Sequence, residues 1–540
     1  MPKGFGSAQP KKPSTKSHEV EPASTKAKKA LKRGDIQQAE KFCRIAISND
    51  PNDLEAHQTL SIIYHLQNKS KDFLHTCKVI ARLDEQNHEA HNNLGNALHA
   101  AGHINDAIEA HTKALNLAPE NFECLYNLGS LYTKIGNTKK AKIFLNESIR
   151  ANPSSAEALS NLSGAYMLEG DAQTARIFAK QSIELNPNNP KSLNNMAVAL
   201  QNLGEMEESL LYYKKALAIN PNSGETLWNY ATCNFLIDNY ITGLKYLDER
   251  FTNPATQIHC RPLGSPWSEN SLKECRKLLL VTEQGLGDSL QFIRFVPILR
   301  EMGIDVSICA QEKLHPLIRE SKIHNNPIST KDAEKIKSMP WIPILSVAKF
   351  LGKEIKKESY ARPYLSTNSS LKKKWKEILE QEKKPIVGIN WQGNKSQEKG
   401  NMIGRSFPLE ELKPLSKIEN IKLLSLQKGE GSEQLNQCSF RSSFVESQKH
   451  IEEIWDFVET AAIMENCDLI ITNDTSVAHL AGGLGKTTWV LLKKVPDWRW
   501  GLQEKTFWYP SMRLFRQKEI NDWGTIIEEL ASEVTTLFKR

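Results

Sequence analysis

The sequence predicts an all-helical repeat solenoid over residues 20–250, followed by an α/β unit of two doubly wound lobes. Three observations carry that prediction. Pro51, Pro119, Pro153, Pro187 and Pro221 are separated by 34 residues or by twice 34. From Leu278 onward, apolar runs of strand length alternate with helical patterns and open into glycine-rich or hydroxyl-rich turns. The 540 residues, 39% hydrophobic and 25% charged, have the composition of a folded chain too long for a single core.

A strict 34-residue period marks paired helices that bury their apolar faces only by stacking on neighbouring pairs. One unit reads Leu94, Gly95, Leu98, Gly102, Ala107, Ala114 and Pro119; the next reads Leu128, Gly129, Tyr132, Gly136, Ala141 and Pro153. A third offers Leu162, Ser163, Tyr166, Gly170, Ala175 and Pro187. Gly95, Gly129, Ser163 and Ala197 leave room for the two helices of a unit to approach closely, as do Ala107, Ala141 and Ala175. The prolines fall just past the second helix, where no ladder bond is lost. About seven units fit before the period fades near Tyr246.

Asn93, Asn127, Asn161, Asn195 and Asn229 are also 34 apart, on the first helix of successive units. Asparagine is a poor helix former, so a column of it calls for a cause. Each amide offers a donor and an acceptor to the backbone of an extended peptide in a groove. The alternative is that these amides bond to neighbouring repeats.

Residues 1–19 read as a disordered basic tail, with Lys3, Lys11, Lys12 and Lys16 prominent in it. Residues 251–275, with Pro254, Pro262, Gly264 and Pro266, read as a linker. The nine cysteines are scattered without metal-ligand spacing, so they read as reduced thiols, and no metal is expected. No apolar run approaches a membrane span and none opens the chain, so the expected location is cytoplasmic, with no integral membrane segment and no nucleic-acid partner.

In the first α/β lobe, residues 276–370, Leu278-Leu-Leu-Val281 is a buried strand that runs into Gln284-Gly-Leu-Gly-Asp288 and a helical pattern. Gly285 and Gly287 let backbone approach a ligand, and Asp288 near the helix start reads as a cap or a base. In the second lobe, residues 371–540, Ile386-Val-Gly-Ile389 opens into Asn390, Trp391 and Gly393 and a loop reaching Arg405. A second strand ends in Gln427 and Lys428, and a third runs into Asn473-Asp474-Thr475-Ser476, with His479 one turn on. Hydroxyls and unpaired amides at a helix N-terminus suit a phosphate oxygen.

The repeats resemble the tetratricopeptide family, and their asparagine column resembles that of the O-linked N-acetylglucosamine transferases. The half from Leu278 resembles the glycosyltransferase family that includes bacterial heptosyltransferases, on Gly285-Leu-Gly-Asp288, Asp474-Thr-Ser-Val-Ala-His479 and the tail Pro496-Asp-Trp-Arg-Trp500. It is closer still to bacterial proteins that join tetratricopeptide repeats to such a unit. That resemblance implies a GT-B fold of two Rossmann-like lobes and metal-independent transfer of a sugar from a nucleotide-sugar to a protein or peptide held by the repeats. It implies Asp288 as base, with His479 and Arg405 assisting the leaving diphosphate. Gly285, Gly287, Asn390, Trp391, Gly393, Gln427, Lys428, Asp474, Thr475, Ser476 and Arg499 would line the donor site, with the nucleotide-sugar as co-substrate and no further cofactor. Arg405 departs from the family's usual lysine. Two alternatives stand beside this expectation: a repeat scaffold with a non-catalytic nucleotide-binding α/β domain, or a transferase acting on a glycan or lipopolysaccharide.

Overall fold

The computed structural model describes residues 21–253, 256–268, 276–398 and 400–539. The expected basic tail 1–19 and residues 254–255 and 269–275 of the expected linker lie outside the described residues. An all-α region of paired helices is followed by a region built on parallel β-sheets. The chain divides into two compact units, one ending at Asn161 and the other beginning at Leu162.

The first helices of the pairs are α1 (Ala23–Lys32), α3 (Leu54–Leu66), α5 (His88–Ala100), α7 (Phe122–Lys134), α9 (Ala156–Glu169), α11 (Pro190–Leu203) and α13 (Gly224–Leu236). The second helices are α2 (Ile36–Asn49), α4 (Ser70–Leu83), α6 (Ile104–Leu117), α8 (Thr138–Ala151), α10 (Ala172–Leu185), α12 (Met206–Ile219) and α14 (Tyr240–Lys245). Local chemistry starts the six first helices after α1 at the same phase. Asp53, Asn87, Asn121, Ser155, Asn189 and Ser223, each 34 from the last, accept a backbone N–H from the first turn that follows. Such a cap contributes about 1 kcal/mol.

The corner between the two helices is equally periodic. Gly34, Asn68, Gly102, Gly136, Gly170, Gly204 and Asp238 all have φ between 55° and 92°. That left-handed conformation costs an ordinary L-residue about 1–2 kcal/mol, which is why glycine, asparagine and aspartate hold the slot. Inside each pair the small residues act as expected. A side chain at Gly95 would strike the His111 ring at 2.6 Å, and one at Gly129 would strike Leu145 at 2.6 Å.

Two parallel sheets follow. The first has the order β2-β1-β3, with β1 Lys277–Val281, β2 Asp305–Cys309 and β3 Trp341–Pro343. The second has the order β5-β4-β6-β7-β8, with β4 Ile386–Asn390, β5 Lys422–Ser425, β6 Leu469–Asn473, β7 Thr488–Leu492 and β8 Met512–Arg516. Strand order reverses between β4 and β6, the crevice where open α/β sheets place their loops. The single helix expected over Leu290 to Leu299 is instead two, Leu286–Phe292 and Phe295–Glu301. Pro297 explains the break, since it has no N–H to continue the ladder and its ring clashes with the carbonyl four residues back.

Within the second compact unit the last repeats and the sheets share one apolar core. Phe235 packs on Trp498 at 4.5 Å, and Tyr240 meets Phe507 edge-on at 4.9 Å. Ile403 lies against the corner glycine Gly170, and Val495 against Gly204. The stretch expected to be a linker is tied down where it is described. His259 N–H donates to the Thr282 carbonyl at 3.1 Å, Gln284 N–H to Gln257 at 3.0 Å, and Trp267 N–H to Trp341 at 2.8 Å. Just before it, Arg250 is fully buried and forks onto the equally buried Glu283, with Nε to Oε2 and Nη2 to Oε1 both 2.9 Å. Asp248 and Ser346 complete that network.

Candidate functional site

Two groups of residues deserve a functional reading. The first lies between the sheets, where the Leu286–Phe292 helix packs against the Ser476–Leu484 helix. Gly287 makes the approach possible, because a Cβ there would lie 3.0 Å from the His479 ring and 3.5 Å from the Ser476 backbone. The structure brings most of the expected residues together here. Asp288 accepts from the Gly285 N–H at 2.9 Å and is ion-paired with Arg499, whose other terminal nitrogen reaches Asp497 at 2.7 Å.

His479 is buried. Its Nδ1 bonds the Tyr509 hydroxyl at 2.9 Å and its ring stacks on Trp500 with centroids 5.2 Å apart. Burial holds the imidazole well below its ordinary value, with Arg499 and Arg294 adding to the effect. Asp474 is pushed the other way, up to about 6, by burial and then by Asp497, against the pull of Arg405 and Arg499. Ser476 opens its helix after Thr475, which donates to Asn390 Oδ1 at 2.9 Å.

Several of the expected ligand-binding side chains are occupied by the fold itself. Gln427 Oε1 accepts from Asn390 Nδ2 at 2.7 Å and from the backbone of Trp391 and Gln392. Its amide donates to Gln392 and Glu430 carbonyls. Trp391 is fully buried in the core of the second sheet, so its ring is not open to stacking on a ligand. The Lys428 ammonium caps the Ile451 carbonyl, and burial lowers it to about 8. Gly393 donates to Ser406 Oγ at 2.9 Å and lies flat against the Arg405 guanidinium, which faces Glu398 at 3.6 Å. In this arrangement carboxylates and guanidinium groups neutralise one another, and Asp288 accepts from Gly285 on one oxygen while it ion-pairs with Arg499 through the other.

The second group is the face lined by the first helices. Asn127 on α7 reaches back to α5, its Nδ2 donating to Asn92 Oδ1 at 3.1 Å and to Asn96 Oδ1 at 3.2 Å. His111, seated in the slot above Gly95, bonds the same Asn92 oxygen at 2.9 Å, and burial holds its imidazole down to about 4. Asn93 and Asn96 are exposed. Asn161 is buried and bonds Tyr126, Asn195 is buried, and Asn229 donates to Asn194 Oδ1 at 3.2 Å. Bonding between repeats therefore accounts for part of the column.

Family models described as tetratricopeptide repeat match residues 98–165, 156–189 and 190–223. Residues 98–223 of the helical region thus match tetratricopeptide-repeat models without a gap. Protein FlbA of Caulobacter vibrioides is 24% identical over 298 residues, 50% of this chain and 48% of FlbA, so the match takes in about half of that relative's length. Among solved structures, MamA from Desulfovibrio magneticus is 20% identical, with 32% of this chain and 96% of that chain covered and a TM-score of 0.29. PilF of Pseudomonas aeruginosa is 20% identical, covering 38% and 93%, with a TM-score of 0.33. YrrB, described as a tetratricopeptide-repeat protein with an unusual peptide-binding site, is 19% identical, covering 33% and 92%, with a TM-score of 0.26.

These findings correct the expected activity. The matching family models describe the repeats, and the sequence relative covers half the chain, so a nucleotide-sugar-dependent glycosyltransferase with a nucleotide-sugar donor is withdrawn. Among the described residues no group of three or more His, Cys, Asp and Glu is placed to hold a metal ion, and no helix is long and apolar enough to cross a membrane. Sequence reasoning missed the buried Arg250–Glu283 pair and Arg294, which donates to the Trp508 carbonyl at 2.7 Å beneath the Tyr509 ring. Neither lies in a periodic column, and the Arg250 and Glu283 pairing spans 33 residues of mixed composition that give no local signal.

Proposed function

We propose that this chain is a protein-interaction scaffold whose tetratricopeptide repeats take an extended segment of a partner protein along the first-helix face. The observation that carries the reading is the amide chain from Asn127 to Asn92 and Asn96, which fixes side chains on one face while Asn93 and Asn96 stay open to solvent. Arrays of this kind present extended binding surfaces of that type. An extended backbone offers repeating carbonyl and amide groups that fixed amides match without regard to its side chains. In this reading the α/β half is a rigid mount with two GT-B-like Rossmann lobes. Support for that comes from two all-parallel sheets, the reversal of strand order at β4 and β6, and the close helix approach at Gly287. The residues between the lobes then serve as a charge-balanced clasp, with Asp288 and Arg499 at its centre.

The test is binding of a library of unstructured peptides to the purified full chain, compared with an Asn93→Ala, Asn96→Ala, Asn127→Ala triple variant. The reading expects peptides that bind the parent and lose at least about tenfold in affinity against the variant, since several hydrogen bonds are removed at once. Equal binding to both proteins would sink it.

A further inference from the structure

The chemistry of the first-helix face narrows the partner, an inference that rests on the scaffold reading. On α5 two amide oxygens are engaged within the fold. Asn92 Oδ1 serves Asn127 and His111, and Asn96 Oδ1 serves Asn127. Of the two exposed amides on α5, Asn96 therefore turns its N–H donors to solvent, while Asn93 offers both donors and an acceptor.

One end of the same face adds a cation with no anion. The Lys134 ammonium stands 3.1 Å from His99 Nε2, and among the described residues no carboxylate lies within ion-pair distance of it. An ammonium donating to an imidazole is using a neutral acceptor where a carboxylate would give a shorter, charge-assisted bond. The exposed carboxylates of α5 and α7 themselves are at the opposite end of those helices. Glu89 and Glu123 lie in the first turns of α5 and α7, where they complement the helix dipole. Glu123 is eleven residues from Lys134, roughly 16 Å along the axis, too far to neutralise it.

At the preceding repeat the equivalent positions are apolar. Ile62, 34 before Asn96, is 51% exposed, and Leu66, 68 before Lys134, is 57% exposed. They are one turn apart on α3 and form a single aliphatic patch.

We propose that this face takes an extended acidic segment whose carboxylate bridges Lys134 and His99 and whose apolar side chain covers Ile62 and Leu66. Packed helices are about 10 Å apart and an extended chain advances about 3.3 Å per residue. Two repeats from α3 to α7 then separate the apolar residue from the acidic one by about six positions.

The experiment is fluorescence anisotropy with the full chain and four labelled peptides: a leucine six residues from a glutamate in a Gly/Ser background, the glutamate changed to glutamine, the same position changed to lysine, and the leucine changed to serine. The glutamate peptide is expected to bind about tenfold tighter than the glutamine or lysine peptides, and the serine peptide to lose severalfold. Lys134→Glu, at an exposed edge, is expected to reverse the order so that the lysine peptide binds best, with an unchanged thermal melt as the folding control. If all four peptides bind alike, and Asn127→Ala weakens all of them equally, the charge inference falls while the scaffold reading stands. If no peptide binds, the charge inference falls, and the scaffold reading is decided by the peptide library.

Discussion

One 34-residue unit is used in two ways along this chain. In the repeats up to Asn161, the corner glycines Gly34, Gly102 and Gly136 have open space where a Cβ would be. In the repeats from Leu162, the same corner is a docking edge: Ile403 lies against Gly170, Val495 against Gly204, and Lys356 ion-pairs with Asp238. Backbone conformation is the same at all these corners, with φ positive throughout. Period therefore dictates the turn, and the residues around it decide whether the turn faces solvent or the α/β core. The first region keeps these corners open, while the second has turned one edge into interior.

The comparison breaks most readily at Arg250. Arg250→Ala leaves the Glu283 carboxylate buried without its partner, and is expected to destabilise the second unit by about 3–5 kcal/mol in chemical denaturation. Arg250→Met with Glu283→Met should recover most of that loss, and the first unit's transition should not move. Gly95→Ala strikes the first unit instead, forcing the His111 ring away at about 1–3 kcal/mol, read as a lower midpoint for that unit alone.

Corner substitutions sharpen the contrast. Gly102→Ala and Gly170→Ala each force alanine into the left-handed region at about 1–2 kcal/mol. Each should lower the stability of the unit that contains it. Acidity separates the regions too. The Asp474 carboxyl is held up to about 6 in the folded chain and returns to about 3.9 when unfolded, so the folded state keeps its proton longer. Its stabilising contribution is thus full below about pH 4 and is lost as pH rises through about 6, a change of roughly 1 kcal/mol after allowance for its partial exposure. Asp474→Asn should flatten that limb for the second unit. Smallest of all, Asn127→Ala removes two interhelical hydrogen bonds of a half-exposed side chain, and should cost about 1 kcal/mol in a thermal melt of the first unit.

The sequence made the helical pairs legible because their cause is local. Proline, small-residue and asparagine columns all repeat at 34, and so do the caps from Asp53 to Ser223 and the left-handed corners from Gly34 to Asp238. The buried strands from Leu278 and Ile386 were visible as apolar runs, and Pro297 marked a break that the apolar period concealed. The sites were harder to read. Asp288, Asp474 and His479 do converge, yet the ion pair from Arg499 that engages Asp288 spans 211 residues and has no sequence signal. Gln427 and Trp391 have the residue types of a binding pocket, but their atoms are consumed by the loop they hold. Residue type and spacing place a side chain at a crevice; only the other groups around it determine whether it is free.

The column of left-handed corners also sets a rule for how the array can change in length. A cassette of 34 residues inserted or removed before Gly136 returns every later residue to its own phase, with glycine, asparagine or aspartate again at each corner. The contacts at Gly170, Gly204 and Arg250 are encoded downstream and stay untouched by such an edit. A fraction of a unit leaves the edited repeat without a complete helix pair to stack on its neighbours. The number of amino-terminal repeats is the dimension this architecture leaves free to vary by whole units.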